Sequence, residues 1–347
     1  MAKNALPARW RALKSQKANL ALFFIGIALA ALAPGWRFAV APAIKVVATD
    51  TDRISFQAGT LATYVAPPGA PAPGAEPRRT AVILQKRYYN PVGRSTGRAA
   101  VLEVDSQLID AADKTRLSES VHTYAIDRRT AVQLPGHGSD MDRAGYYFHF
   151  PFNTPASDIE VWDDLSESAR TASFAGAREA YGVRSYSFVV KYAGQPVPAP
   201  AGFPTRLTGA GLRALVPSLA HPVGDNDVFD ISYRGNLSTE FLVEPVSGTE
   251  VGIPGTEESV YMTVEDRSRG LSFTRVVFKL DCAEEADSLR EGGSRAKDEI
   301  AKIELQFKWL PLAYLVLGAC CVAIGLFAGT GGGASDDSAD APGREGG

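Results

Sequence analysis

The chain has 347 residues, 45% of them hydrophobic and 22% charged, with 36 Lys and Arg against 39 Asp and Glu and a formal net charge of −3. That length is ample for one large core or two small ones, and the slightly acidic balance argues against nucleic acid as a partner, since such binders present a strong basic excess. Of three cysteines only Cys282 lies between the two apolar ends, so no disulfide framework holds the middle together and its stability must come from packing.

Residues 1–17, MAKNALPARWRALKSQK, form a basic N-terminus carrying Lys3, Arg9, Arg11, Lys14 and Lys17 without an acid. The apolar run Leu20 to Ala33 follows. Together they fit either a secretory signal peptide, with Ala31-Leu32-Ala33 as a small-x-small cleavage pattern, or an uncleaved transmembrane helix over 18–36 with Trp36 at the interface. The anchor is the preferred reading. A second run, Trp309 to Gly329, is 21 residues without a charge, long enough to cross a hydrocarbon layer of about 30 Å. Lys and Arg fix orientation. Both termini are therefore expected in the cytoplasm and 37–308 outside, making this a plasma-membrane protein with two spans. The tail 330–347, TGGGASDDSADAPGREGG, has a composition that buries nothing and reads as disordered. With +5 at the N-terminus and −3 in the tail, −5 remains for the external segment, which announces no basic face.

The external segment reads as antiparallel β-structure. Ala99–Ile109, Thr123–Leu134, Ser185–Tyr192, Val228–Tyr233, Leu237–Val243, Val260–Glu265 and Ser272–Leu280 are short and rich in β-branched or aromatic residues. Arg234-Gly235-Asn236 and Pro245 to Gly248 look like hairpin connections. The Pro-rich stretches Ala66–Pro77 and Gln195–Pro204 read as loops of one domain, and Leu212 to Leu219, interrupted by Pro217, as a packed loop. From Ser294, an apparent N-cap after the Gly292-Gly293 break, Ala296, Ile300, Ile303 and Phe307 recur at helical spacing. This predicts a helical stalk over 294–308 leading into the second span.

The most conspicuous stretch is GYYFHFPFNTPASDIEVWDD, Gly145 to Asp164. Tyr146, Phe148, Phe150 and Phe152 share one parity and predict the apolar face of a strand, ended or edged by Pro151. With Trp162, that face is the candidate lining of a lipid groove. Arg128 and Arg129 are candidate contacts for lipid phosphates or acidic glycans, beside the plainer reading of a hairpin turn.

Motifs for catalysis fall short. His122, His137, His149 and His221 are scattered; Gly136-His-Gly-Ser-Asp140 lacks the second Gly of a nucleophile elbow; Ser294-Arg-Ala-Lys297 matches Ser-x-x-Lys without its partner motifs. Asp225, Asp227 and Asp230 lack the grammar of a Ca²⁺ loop. Asp163-Asp164 suits a turn after a strand better than acid-base work. Cys282 reads as a small buried hydrophobe. No cofactor, metal or enzymatic activity is expected.

The N-terminal anchor, YAIDRRTAVQL (Tyr124 to Leu134), the aromatic stretch, FAGAREAYGVRSYSFVV (Phe174 to Val190) and the final WLPLAYLVLGACCVAIGLF together resemble the actinobacterial DUF3068 proteins, also called the porin PorA family. The resemblance covers nearly all of the ordered chain and implies an antiparallel β-rich extracytoplasmic domain flanked by two membrane anchors, with no established activity. FAGAREAYGVRSYSFVV is also similar to units of the curved sheets of envelope lipoprotein carriers, which hold acyl chains in a concave apolar face. The functional expectation is a membrane-tethered envelope protein whose β-domain binds a lipid or glycan or docks a protein partner. The alternatives are an oligomeric channel, although neither apolar run has a polar centre to line one, and an envelope hydrolase or transferase.

Overall fold

The computed structural model describes residues 8–65, 80–215, 223–266 and 270–327. Ala66–Pro77, the second half of the expected Leu212–Leu219 loop and the tail 330–347 lie outside these. The chain divides into two compact units, Met1–Lys45 with Ala301–Gly347 and Val46–Ile300.

The first unit is a helical hairpin. Helix α1 (Ala8–Gly35) runs on through a π-turn, Trp36–Val40, into α2 (Ala41–Ile44). Its partner is α5 (Leu310–Phe327), entered from α4 (Ala286–Glu304) through a second π-turn, Leu305–Trp309. Both helices are long and apolar enough to cross a membrane. They meet on glycines. A Cβ on Gly26 would lie 2.6 Å from the Gly318 carbonyl oxygen, and one on Gly325 would lie 2.7 Å from that of Asn19. Where lipid offers no hydrophobic drive, such close backbone approach is what holds helices together.

The second π-turn has an identifiable cause. Pro311 has no N–H, so the Phe307 carbonyl four residues earlier loses its helical donor. The Leu310 N–H reaches back to Leu305 instead, which also skips Gln306. Both carbonyls are rescued from α1's continuation: the Trp36 indole donates to Gln306 O at 3.0 Å and the Arg37 guanidinium to Phe307 O at 2.7 Å. Trp36 further packs edge-on against Tyr314.

The second unit is one antiparallel sheet. Its strands are β1 (Asp52–Tyr64), β2 (Thr80–Tyr89), β3 (Ala99–Asp110), β4 (Arg116–Asp127), β5 (Ile159–Asp163), β6 (Ser168–Ala180), β7 (Val183–Val197), β8 (Arg206–Thr208), β9 (Val228–Val243), β10 (Glu250–Asp266) and β11 (Leu271–Glu284). They lie in the order β4-β3-β2-β1-β11-β10-β9-β7-β6-β5, with β8 on the free length of β9. The two ends of this order come together. The segment after β4 folds back onto it, pairing Gln133 with Ile126, then Tyr146 pairs with Val132 on one side and Val161 of β5 on the other. The sheet is thereby rolled into a barrel whose seam is irregular chain. Side chains follow suit: Tyr88, Leu102, Val104 and Tyr124 from β2 to β4 share one buried cluster with Trp162 of β5.

The barrel is apolar inside and polar outside. On β9, Phe229, Ile231, Tyr233 and Leu237 are buried while Asp230, Ser232 and Arg234 are exposed, the alternation of a strand with one face in water and the reverse of a lipid-facing barrel. Phe150, Phe188 and Phe241 stack within one core cluster, with ring centroids 5.5–6.2 Å apart. Full burial of each is worth about 1.5–3 kcal/mol.

Two glycine readings from the sequence are corrected. Arg234-Gly235-Asn236 is not a hairpin turn, because β9 runs straight through it; a Cβ on Gly235 would sit 2.7 Å from Val197 and 3.2 Å from Leu165, so Gly is there for interior room. Gly292-Gly293 does not precede a helix. Helix α4 starts at Ala286, and the pair lets it lie flat on the barrel: Cβ atoms there would reach the Val251 and Tyr181 carbonyl oxygens at 1.8 and 2.5 Å. Ser294 is thus mid-helix and exposed, not an N-cap. The expected turn at Pro245 to Gly248 does connect β9 to β10, with Gly248 at φ +74. Leu212 falls in a short helix, α3 (Gly209–Leu215), and is fully buried.

Candidate functional site

The aromatic stretch is not a strand. Phe148 takes a left-handed φ of +68, and the His149 N–H donates to the Tyr147 carbonyl at 2.7 Å, which makes a γ-turn in the middle of the run. The expected single apolar face is therefore broken up. Tyr146 and Phe150 pack with the Phe188–Phe241 cluster, Tyr147 and Phe148 with Tyr88, Tyr124 and Trp162, and Phe152 with Val47, Ala100, Ile126 and Ala131. Reversal at Phe148 is what allows residues of both parities to face one space.

That space is a chamber of about 180 Å³ inside the barrel, lined from β1, β2, β5, β7, β9, β10 and β11 as well as by the aromatic run. Four expected residues meet there: Tyr146, Phe148, Phe150 and Trp162. Phe152 does not, being turned to the outer cluster. Arg128 and Arg129 do not either. Arg128 is spent on the Val47 carbonyl at 2.9 Å, and Arg129 stands exposed in the tight turn after β4, whose N–H groups are held by Asp127. The plainer hairpin reading is the one that describes their geometry.

Two further spaces, of about 180 and 550 Å³, adjoin the chamber, all three sharing Asp164 and Glu258 in their walls. The larger of the two is bordered by Glu167 and by residues of the Pro198–Phe203 segment. The wall residues common to these spaces form a polar neck between them. At the neck stand Lys86 of β2, Glu258 of β10 and Asp164. Asp164 accepts from the Tyr124 hydroxyl at 2.8 Å and the Trp162 indole at 2.9 Å. Burial, with Asp164 beside it, pushes the Tyr124 hydroxyl far up, so it stays a donor. Burial likewise pushes the Glu258 carboxyl up to about 7, helped by Asp163 and Asp164 and opposed by Lys86. Burial alone would lower the Lys86 ammonium, but Tyr88, Asp164 and Glu250 outweigh it and raise it.

Two arginines stand behind the chamber's aromatic lining, Arg53 against Tyr88 and Phe148 and Arg143 against Trp162. The Arg53 guanidinium lies 4.3 Å from the Tyr88 ring and 4.5 Å from Phe148, and pairs with Glu250 at 3.0 Å. Arg143 lies 4.1 Å over Tyr124, which stacks in turn on Tyr147 at 4.1 Å, and donates to the Thr123 carbonyl and to Asp140. Burying a cation this way is tolerable only with rings and acceptors around it. Nearby, burial lifts the Glu284 carboxyl to about 7 although it accepts the Ile253 N–H at 2.6 Å. Burial and the proximity of Arg53 bring Arg295 down to about 10.

The sequence matches the family described as Porin PorA over residues 18–327. This chain belongs to that family. No curated protein matches it. In this PorA-family member, Lys86, Asp164 and Glu258 are the polar residues that sequence reading did not bring together. Of the three, only Asp164 is marked in the sequence, as half of an acid pair. Lys86 and Glu258 sit on strands far from β5 in the sheet order and share a space with Asp164 only inside the closed barrel, so no local spacing announces them. Asp163 is a turn residue as expected, accepting from the backbone of Leu165 and Ser166 and from the Tyr192 hydroxyl. Cys282 is buried, donates to Gln57 Oε1 at 3.1 Å and has its thiol pushed up to about 12 by burial, consistent with a packing role. Among the described residues, no cluster of three His, Cys, Asp or Glu is placed to hold a metal.

Proposed function

We propose that this membrane protein of the porin family is an envelope binding module whose barrel holds an amphiphile, a lipid or glycolipid, in its interior cleft. The observation that carries the reading is the chamber itself, lined largely by aromatic and aliphatic side chains with Lys86, Asp164, Glu250 and Glu258 among them. An acyl or other apolar chain fits against Phe150, Val190, Leu237, Phe241 and Ile253. Hydroxyl groups of a head fit the acceptors Asp164 and Glu258 and the donor Lys86 at the neck. Concave apolar sites with a few convergent polar groups are the usual form of small-ligand sites. The same closure provides an explanation for the γ-turn: strain at Phe148 positions four aromatics, Tyr146, Tyr147, Phe148 and Phe150, around one ligand space. No reaction is assigned to the cleft.

The orientation that suits such a module places both chain termini in the cytoplasm and the barrel outside, as the basic N-terminus favours. Two features weigh against the channel alternative. The barrel is polar on its outer surface, and the α1 and α5 runs are apolar at their centres. Full-length protein is to be purified from native membranes and its bound small molecules extracted and weighed. An acyl-bearing species in near-stoichiometric amount is expected with wild type and is expected to be lost in Leu84→Trp, which fills the junction between chamber and neck. Wild-type protein free of any such species, together with steady conductance in planar bilayers, would replace binding by the channel reading.

A further inference from the structure

The helical hairpin carries a second ligand-sized space, independent of the barrel. A groove of about 500 Å³ runs between the end of α1 and the start of α5. Arg37 and Lys308 stand in its wall, and Phe38, Pro311, Leu312 and Leu315 make its apolar floor. Among the described residues no acid lines it. Phe38, Leu312 and Leu315 are exposed large hydrophobics, so one side of the groove belongs in hydrocarbon.

Its level in the membrane is marked by Trp36 and Trp309, residue types that settle at the interface. The cations are positioned there by the fold. Pro311 orphans the Phe307 carbonyl, Arg37 takes it through Nη1 at 2.7 Å, and the rest of the guanidinium fork remains to face the groove. Lys308 lies 5.1 Å over the Trp309 ring. Two cations above an apolar floor, at the depth of lipid headgroups, complement a phosphate carrying acyl chains and do not complement a zwitterion or an apolar helix as well.

We propose that this groove seats one anionic phospholipid, its phosphate between Arg37 and Lys308 and its acyl chains along Phe38, Leu312 and Leu315. The lipid would bridge the ends of the two helices and hold the hairpin at a fixed depth.

The test uses the full chain in nanodiscs of mixed phosphatidylglycerol and phosphatidylcholine, with lipids retained on release from the disc counted by native mass spectrometry. Wild type is expected to retain one phosphatidylglycerol in preference to phosphatidylcholine by about tenfold or more. Lys308→Gln, which leaves the Arg37 bond to Phe307 intact, is expected to reduce that preference severalfold, and Arg37→Gln/Lys308→Gln to abolish it. Leu315→Trp, which keeps both charges but fills the floor, is expected to lower retention of both lipids. Equal retention of the two lipids by wild type, or undiminished preference in Lys308→Gln and in the double variant, would overturn the proposal. So would displacement of the retained lipid by millimolar inorganic phosphate, which would mark a simple anion site.

Discussion

In the hairpin, Leu20, Phe24, Ile25, Leu312 and Leu315 turn outward with large apolar faces bare, whereas in the barrel Phe188 and Val251 are wholly covered and Asp230, Ser232 and Arg234 meet the solvent. The two units also treat glycine alike for different reasons. Gly26 and Gly318 let two helices touch where only packing can join them; Gly235 and Gly292 make room for neighbours across a core that the hydrophobic effect has already closed. Such a contrast assigns one unit to hydrocarbon and the other to water. It also isolates the feature belonging to neither pattern, a chamber of mixed aromatic and charged lining inside the water-facing unit.

The largest effect expected from breaking this contrast is at Gly292. In an exposed helix, Gly→Ala gains about 1 kcal/mol, but here the new methyl would meet the Val251 carbonyl at 1.8 Å. Gly292→Ala should therefore destabilise the barrel by on the order of 3 kcal/mol in denaturant unfolding, while Ser294→Ala two residues on, exposed and mid-helix, should stay within about 0.5 kcal/mol. A neutral Gly292→Ala would mean that α4 does not lie against β10.

Next comes Arg53→Met. It removes the cation from Tyr88 and Phe148 and leaves Glu250 without its partner, with an expected loss of about 2–3 kcal/mol. Adding Glu250→Gln should recover part of that loss. A double variant no better than the single would argue that the rings, and not the ion pair, set the cost.

A smaller effect is expected from pH. Glu258 and Glu284 hold their protons up to about 7 in the fold against 4.5 when free. A raised carboxyl binds protons first in the folded state, so its contribution falls as pH rises from about 4.5 to about 7 and is then constant. His149 acts in the opposite sense: burial lowers it from 6.5 to about 4, so stability is lost as pH falls between those values. Above pH 6.5 the carboxyls act alone. The thermal midpoint of the barrel should drop from pH 6.5 to pH 8, and Glu258→Gln should remove a sizeable part of that drop. A midpoint that rises over this range would contradict the assignment.

Much of this architecture could be read from the chain. The two apolar runs, the β-rich middle, the turn at Pro245 to Gly248 and the helical approach to the second span are local patterns, carried by residues close in sequence. What stayed hidden depends on closure. The γ-turn at Phe148 puts a bulky residue at positive φ, which local propensity opposes and only surrounding packing can impose. Tyr146, Phe148, Phe150 and Trp162 were legible as an aromatic set, yet as one flat face and not as a ring around a chamber. Gly235 and Gly292 carried the same signal as turn glycines because sequence does not say whether a missing side chain serves φ or space. Lys86 and Glu258 lie in strands with nothing local to mark them.

Trp162 provides the most direct test of the central claim that the barrel's chamber takes an apolar chain. In full-length protein with Trp10, Trp36 and Trp309 replaced by Phe, the remaining indole lines the chamber and a brominated monoacylglycerol is titrated against its fluorescence. Saturable quenching, competed by the unbrominated compound and weakened by Leu84→Phe, which narrows the chamber without adding a second indole, is the predicted result. Fluorescence that stays constant through the titration in folded protein would show the chamber to be closed core and contradict the account.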